Sequence, residues 1–512
     1  MRKKLIKSVN GMLFLVYCLF MMAISATCVA IYNLTGWVMD TWGLLSIDEI
    51  IFHLTVPIEG TNSDVIMDGI NACLPLVVLI VLFMIAFAVG MRKHKLKLAI
   101  SLLLITCICA GSGAKAAYQM YSDLEVREYL RSQKEDNSFI ETNYVDPRNV
   151  QITFPEEKRN LIYIFLESVE STFASTDVGG AFEYNCIPEL TEIAMENVNI
   201  SNTDKLGGAV PASGSGWTMG AIFAQTSGLP IKNSVGTDDI NKTLGEQMVF
   251  SSRVCNLEDI LEQQGYNQLF MIGSNATFGG RKAYFNSHGE CDIWDYYSAV
   301  ENGRIPEDYY RWWGYEDEKL FTYAREKLLE FSASDEPFNL TLLTVDTHFE
   351  DGYVCELCQD EFGDNQYANV MACSSRQLVE FIKWIQNQEF YENTTIILSG
   401  DHLTMDKDFC EGLDDYQRTT YNAFINLPET LNTSYEQTHR RKFSTMDMFP
   451  TTLAALGVEI EGDRLALGTN LFSQEDTLSE QYGYEELDNQ ILQKSTFYDM
   501  LINDIEYENS NE

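Results

Sequence analysis

Three runs of this chain are apolar and uncharged over lengths that a soluble core seldom demands: Gly11–Ile31, Ile70–Gly90 and Leu98–Gly113. A helix rises about 1.5 Å per residue, so about 20 apolar residues cross the hydrocarbon core of a bilayer. The first two runs are long enough to span; the third is marginal alone. Their flanks predict orientation. Arg2, Lys3, Lys4 and Lys7 precede the first run, and Arg92, Lys93, Lys95 and Lys97 lie between the second and third. Residues 34–69 carry no Lys or Arg and six acids. Basic flanks stay in the cytoplasm, so the N-terminus is expected inside, and residues 34–69 and all that follows 114 outside. No small-residue cleavage site closes the first run and two more runs follow, which favours an anchor over a cleaved signal peptide.

The chain has 512 residues, too many for one compact core, so at least two regions are expected. Residues beyond 114 hold 27 bases and 69 acids. A region with that excess of negative charge cannot bind nucleic acid by releasing counterions, and it must capture an anionic substrate at a local site. Seven of the twelve cysteines lie there: Cys186, Cys255, Cys291, Cys355, Cys358, Cys373 and Cys410. An exterior location permits disulfides, and pairing within residues 355–373 is expected, with zinc at Cys355-x-x-Cys358 the lesser alternative. Seven is odd, so at least one thiol stays unpaired or bonds another chain.

Residues 115–158 read as a connector, helical over Tyr118–Gln133 and then broken at Asp146-Pro147 and Phe154-Pro155. Beyond it, short apolar runs predict strands at 161–166, 268–272, 340–345, 394–398 and 423–425. Helical patterns fall at 218–225, 257–263, 316–331 and 368–386. This alternation predicts an α/β domain whose central, mostly parallel sheet is flanked by helices. The tail from Gln474 reads as a peripheral acidic helix with a frayed end.

The polar residues that end these strands carry the chemistry. Glu167 follows LIYIFL, His348 follows TLLTVDT, and Asp401-His402 follows TTIILSG. Ligands of open α/β sheets bind beyond the carboxyl ends of the strands. Thr218 reaches the same edge from the start of a helix, in SGSGWTMGAIFAQTSGLP, where free N–H groups and the helix dipole favour a phosphate. Glu167, Asp401 and His402 are the candidate metal ligands, with Thr218 as the fourth and reactive one. A mixed oxygen and nitrogen set suits Mn²⁺, Mg²⁺ or Zn²⁺, and ligand type alone does not choose. His348 is a candidate for polarising the substrate or protonating a leaving alkoxide, Arg281 for clamping a phosphate, and His288 for a weaker substrate contact. Each has a plain rival: an exposed loop acid, a turn, an N-cap threonine, a surface arginine.

The stretches NLIYIFLESVEST, SGWTMGAIFAQTSGLP, LSGDHL, STMDMFPTTLAALG and DRLALGTNLFS resemble the alkaline phosphatase/sulfatase superfamily over roughly residues 155–475. The likeness is greatest to its membrane-anchored branch, the lipoteichoic acid synthases and glucan-modifying phosphoglycerol transferases. The resemblance implies an anchor over 1–114, a connector over 115–158, a sulfatase-like catalytic domain over 159–475 and an acidic tail over 476–512. It implies one divalent ion, Mn²⁺ first, held by Glu167, Thr218, Asp401 and His402, with Thr218 as covalent nucleophile and Arg281 and His348 on the phosphoglycerol. It further implies a multi-pass protein of the bacterial cell membrane, a phosphatidylglycerol donor and a glycan or polyglycerophosphate acceptor. Phosphoethanolamine transfer and phosphodiester hydrolysis are the rival activities; a non-catalytic sensor or scaffold is the rival class. Gly279-Gly280 stands where lipoteichoic acid synthases typically have a Trp beside that Arg, and three spans stand for their usual five, which tilts the expectation toward a glycan acceptor. No Cys/Ser-x-Pro-x-Arg nucleophile motif of true sulfatases occurs.

Overall fold

The structure, a computed structural model, describes residues 2–42, 45–55, 63–232, 250–251, 253–413 and 415–502. Its opening helices are α1 (Arg2–Thr41), α2 (Ile47–Thr55), α3 (Ser63–Gly90) and α4 (Lys95–Asp123). Within α1, α3 and α4 the segments Gly11–Thr41, Val65–Gly90 and Lys95–Asp123 are long and apolar enough to cross a membrane. All three outrun their expected limits. The third is not marginal, because the good helix formers Ala114 to Met120 continue it until Glu125 turns the backbone to φ +49.

The chain divides into two units: residues 1–43 with 62–128, and residues 44–61 with 129–512. In the first unit a small core of Cys18, Met84, Leu98 and Leu102 joins the long helices. Ser25 and Thr106 hydroxyls bond at 3.0 Å, and the Tyr17 hydroxyl donates to Ala99 O at 2.9 Å. Gly113 permits the close approach of α4 to α1, since a Cβ there would lie 2.8 Å from Cys28 O. Leu13, Leu19, Leu79, Leu82 and Leu104 face outward, an exterior suited to lipid and ill suited to water.

The second unit is built on a six-stranded sheet. Its strands are β1 (Asn160–Leu166), β2 (Asn267–Ile272), β3 (Asp292–Trp294), β4 (Phe338–Leu343), β5 (Thr394–Gly400) and β6 (Asn422–Ile425). Their order is β3-β2-β4-β1-β5-β6. Every pairing is parallel except β5 with β6. The central strands are buried along nearly their whole length, which is why they read as unbroken apolar runs rather than alternations. Flanking helices include α5 (Thr218–Ser227), α6 (Arg281–Ser287), α7 (Asp317–Phe331), α8 (Gln366–Gln386) and α9 (Met448–Ala455). Ile162, Ile164, Leu340, Leu342, Ile396 and Leu398 share one core with Leu320, Phe321, Leu378 and Phe381 of α7 and α8; each such side chain contributes about 1.5–3 kcal/mol by burial. On the other face the Tyr163 hydroxyl donates to Gln225 Oε1 of α5 at 2.8 Å.

Three expectations are corrected. Strand β4 ends at Leu343, not 345, because Val345 N and Asp346 N leave the ladder to donate to the Asp317 carboxylate at 2.8 and 3.1 Å. The tail is not one peripheral helix: Leu478–Tyr482, α10 (Tyr484–Leu492) and Thr496–Ile502 pack into the unit. There Asp488 accepts from Ser213 N at 2.9 Å and the Tyr498 hydroxyl accepts from Lys232 N at 3.1 Å, gripping both ends of the segment that carries Thr218. Finally, the expected disulfide within 355–373 does not form, for all twelve cysteines are free. Cys355 Sγ lies 3.7 Å from Cys358 Sγ and 3.6 Å from Cys373 Sγ. A tight turn holds the first two and α8 holds the third, so the sulfurs meet as a trio rather than as a pair.

Candidate metal centre and active site

β1 and β5 run side by side, so their carboxyl ends deliver Glu167 and Asp401-His402 to one place. The turn after β1 is tight: Ser168 adopts φ +58, a conformation costing a non-glycine residue about 1–3 kcal/mol. It is held by the Ser168 N–H donating to Asp401 Oδ1 at 2.8 Å. That same oxygen accepts from His402 N at 2.8 Å, while Asp401 Oδ2 is buried without a partner. Behind this loop the buried Glu170 pairs with Arg418 (Nε to Oε2, 3.0 Å) and accepts from Thr404 N at 2.9 Å, bracing the chain just after His402.

Thr218 arrives from the opposite side as the first residue of α5. Trp217, not Thr218, is the N-cap and makes no side-chain cap bond. The threonine hydroxyl instead lies 3.3 Å from Glu167 Oε2 and 3.4 Å from His402 Nε2. His402 Nε2 is 3.4 Å from Glu167 Oε1 and 3.5 Å from Asp401 Oδ2. Its Nδ1 faces Leu403 O at 2.8 Å, so Nδ1 carries a proton and Nε2 points toward three oxygens, where it would hold a second proton or, with a cation bound, offer its lone pair. Glu167, Asp401 and His402 together could hold a metal ion. A converging set of lone pairs with one orphaned carboxylate oxygen fits a divalent cation and fits little else.

The electrostatics agree. Burial would depress the His402 imidazole, but Asp401 and Glu167 overcome it and push it up to about 10. Burial and the Glu167 charge push Asp401 up to about 7. Against its own burial, His348 and His402 hold Glu167 down at about 2. The field that binds a proton so tightly at His402 is the field that would attract a cation.

His348 and Arg281 complete the surroundings. Thr347 ties the His348 loop to β1 by donating to Glu167 O at 2.6 Å. His348 Nδ1 faces Phe349 O at 2.6 Å and its ring sits 4.5 Å from Trp313. Burial lowers its pKa, with Glu167 pulling the other way. Arg281 follows two glycines at φ +66 and +81, a turn that lays its guanidinium over the Phe278 ring. It donates to Asn275 O at 3.2 Å and keeps Nε buried and unpartnered; the nearby Glu167 and Asp401 charges oppose the burial that lowers it to about 10. Asn275 Nδ2, Trp217 Nε1 and Trp313 Nε1 are further buried donors without partners.

His288 is the exception. Nδ1 faces Asp259 Oδ2 at 2.9 Å and Nε2 faces Phe250 O at 3.1 Å, so both ring nitrogens are spent within the fold and the expected substrate contact is replaced by a packing role.

Sequence reasoning missed three residues. Trp313 supplies an indole beside Phe278 (5.3 Å) and His348 although Gly279-Gly280 stands beside Arg281. Glu49 and His53 come from α2, in the acidic segment between the first two long apolar helices. Phe52 is 1% exposed and packs on Trp217 and Phe250 at 5.5 and 6.5 Å. His53 stacks toward Phe278 at 6.3 Å; its ring keeps access to solvent, and the surrounding protein followed by Arg281 and His348 lowers its pKa. Glu49 is buried and pushed up to about 7, with the His402 charge opposing. The available signal was Ser46-x-x-Glu49, a capping box whose bonds form at 3.2 and 3.5 Å.

The family model described as Sulfatase matches residues 159–458, well over half of the chain. The chain belongs to the sulfatase family. Among curated relatives, this sulfatase-family chain is 30% identical over 358 residues to "Phosphoglycerol transferase I" of Salmonella choleraesuis (strain SC-B67), covering 68% of this chain and 43% of that protein. It thus spans less than half the length of the curated relatives it matches. Among solved structures, an alkaline phosphatase superfamily protein from Vibrio parahaemolyticus is 20% identical with a TM-score of 0.49, covering 69% of this chain and 79% of that one. The lipoteichoic acid synthase LtaP from Listeria monocytogenes is 18% identical with a TM-score of 0.46, covering 64% and 79%.

Proposed function

We propose that this protein is a metal-dependent phosphotransferase that moves glycerophosphate from phosphatidylglycerol, through a covalent Thr218 intermediate, to a glycan or polyglycerophosphate acceptor. The observation that carries the reading is the Thr218 hydroxyl lying within 3.4 Å of both Glu167 and His402, beside Asp401. Glu167, Thr218, Asp401 and His402 would hold the ion, Mn²⁺ before Mg²⁺ or Zn²⁺; bound there, a divalent cation lowers the pKa of a hydroxyl and neutralises phosphoryl oxygens.

In the first half-reaction Thr218 Oγ1 bonds to phosphorus as the bond to the diacylglycerol oxygen breaks. The threonine loses its proton and the departing oxygen gains one. In the second, an acceptor hydroxyl oxygen bonds to phosphorus as the Thr218 Oγ1–phosphorus bond breaks; Thr218 regains a proton and the acceptor loses its own. His348 is neutral at pH 7, with Nδ1–H committed to Phe349 O, so its Nε2 suits the taking of that proton. Arg281, Asn275 and Trp313 offer unpartnered donors for phosphate oxygens and headgroup hydroxyls. The name carried by the curated relatives supports phosphoglycerol as the group moved. The basic flanks, and the inclusion of the acidic segment's α2 in the catalytic unit, support a multi-pass anchor with that unit outside the cytoplasm.

The test uses the full chain in detergent with headgroup-labelled phosphatidylglycerol. A glycerophosphate adduct on Thr218 and release of diacylglycerol are expected, and Thr218→Ala should lose both by about 10³-fold or more. Undiminished release in that variant refutes the nucleophile. Adduct formation only from phosphatidylethanolamine refutes the donor, and transfer to water alone refutes the acceptor class.

A further inference from the structure

We propose a second metal site, outside the catalytic centre: a zinc ion held by the thiolates of Cys355, Cys358 and Cys373, with the side-chain amide of Gln377 at the fourth corner. It stands independently of the transferase reading. All three sulfurs lie within 4.8 Å of one another, at 3.7 Å for Cys355 to Cys358 and 3.6 Å for Cys355 to Cys373. A zinc–sulfur bond of about 2.3 Å in a tetrahedron sets neighbouring sulfurs about 3.8 Å apart. A disulfide needs about 2.0 Å and would leave the third thiol stranded.

The fourth corner is occupied by a group of the right kind. Gln377 is one helical turn beyond Cys373 on α8 and is 8% exposed. Its Nε2 donates to Cys373 Sγ at 3.3 Å and to Cys355 Sγ at 3.6 Å, separations that an oxygen ligand sharing one ion with the sulfurs would also show. The other end of that amide, Oε1, is buried without a partner. Amide oxygen and nitrogen exchange places by a half-turn, and the half-turn aims the oxygen at the sulfurs. Cys355 and Cys373 are buried, and without a cation their sulfurs pair with one another and with the Gln377 amide N–H. Three thiols release three protons as zinc binds, leaving one net negative charge. Arg376, whose Nη1 pairs with Glu361 at 2.7 Å and whose Nη2 is buried and unpartnered, adds a positive charge near Cys373. Thiolate donors select a soft or borderline ion over Mg²⁺ or Mn²⁺.

The ion would have a mechanical consequence. Cys355 and Cys358 lie in the loop that follows β4 and bears His348, while Cys373 belongs to α8. Zinc would pin that loop to the helix and so position His348.

The test is metal analysis of the full chain purified in detergent, in a Glu167→Gln/Asp401→Asn background that empties the catalytic centre. One zinc per chain is expected there, and none after adding Cys373→Ser. Replacing zinc by Co²⁺ in the background protein should give the intense near-ultraviolet thiolate-to-cobalt band, which keeps the proposal testable if the cysteine variant fails to fold. Gln377→Ala should keep three sulfurs but lose zinc faster to a competing chelator; unchanged loss removes Gln377 from the ligand set. Absence of zinc in the background protein, or a disulfide among Cys355, Cys358 and Cys373 after trapping free thiols, overturns the proposal.

Discussion

Asp401→Asn should stabilise the protein when cations are removed and destabilise it relative to wild type when they are supplied. Asp401 Oδ2 and Glu167 Oε1 lie 3.5 and 3.4 Å from the same imidazole nitrogen. Two such charges about 4 Å apart repel by about 4 kcal/mol at an effective dielectric of 20. A protonated His402 3.5 Å from Asp401 Oδ2 offsets that repulsion, so what the neutral amide relieves is the burial of the Asp401 charge, on the order of 2 kcal/mol. The asparagine keeps the oxygen that accepts from Ser168 N and His402 N, and its new N–H₂ replaces an orphaned oxygen. The pH dependence has a definite sign. Asp401 is raised from 3.8 to about 7, so the wild type loses stability as pH rises from about 4 through 7. The advantage of asparagine is therefore largest above pH 7 and fades toward pH 4. Thermal unfolding in detergent with EDTA at pH 8 should show the variant a few degrees higher, at about 2–4 °C per kcal/mol. With Mn²⁺ at 100 times its Kd the wild type should gain about 2.7 kcal/mol, and the variant far less, so their order inverts. The cysteine cluster is common to both proteins and cancels. A variant less stable than wild type in EDTA, or one gaining equally from Mn²⁺, refutes the shared cation site.

Arg281→Lys should weaken binding of glycerol phosphate by about 10–100-fold, the worth of one or two charged hydrogen bonds, as read by calorimetry; an unchanged Kd removes Arg281 from the phosphate site. Because His348 is lowered from its usual 6.5 by burial, its neutral form dominates at pH 7. The acid limb of kcat/KM should therefore fall below pH 6.5 and vanish in His348→Gln, and a limb above 6.5 contradicts the assigned role. Phe52→Ala should cost about 3 kcal/mol of α2 docking and raise KM more than it lowers kcat; wild-type kinetics would leave α2 without a part in the site.

Much of the fold was legible because burial writes itself into composition. Strands β1, β2, β4 and β5 are buried almost throughout, and their unbroken runs of Leu, Ile and Phe marked them; Glu167, Asp401 and His402 then followed as the polar residues ending those runs. Strand β3 escaped, being three residues long at the sheet edge and partly exposed. Trp313 and α2 escaped for another reason. Their place at the site depends on contacts between segments distant in the chain, which periodicity does not record. His288 misled because a histidine after a helix looks alike whether it faces a ligand or, as here, the partly exposed Asp259. The cysteine trio misled through its expected surroundings: an oxidising exterior suggested a bond, whereas the loop and α8 set a spacing suited to an ion.

Helix α2 also determines what can be cut from what. It belongs to the second unit, yet it is encoded between two hydrophobic helices, about seventy residues ahead of the rest of that unit. A protease that sheds the unit by cleaving near residue 128 would release it without Phe52, baring the Trp217 and Phe250 surfaces and removing Glu49 and His53 from the cleft. The shed fragment would keep Glu167, Thr218, Asp401 and His402 but lose the helix whose Phe52 packs on Trp217, the residue before Thr218. Release from the anchor would then act as an off-switch rather than as a means of dispersal.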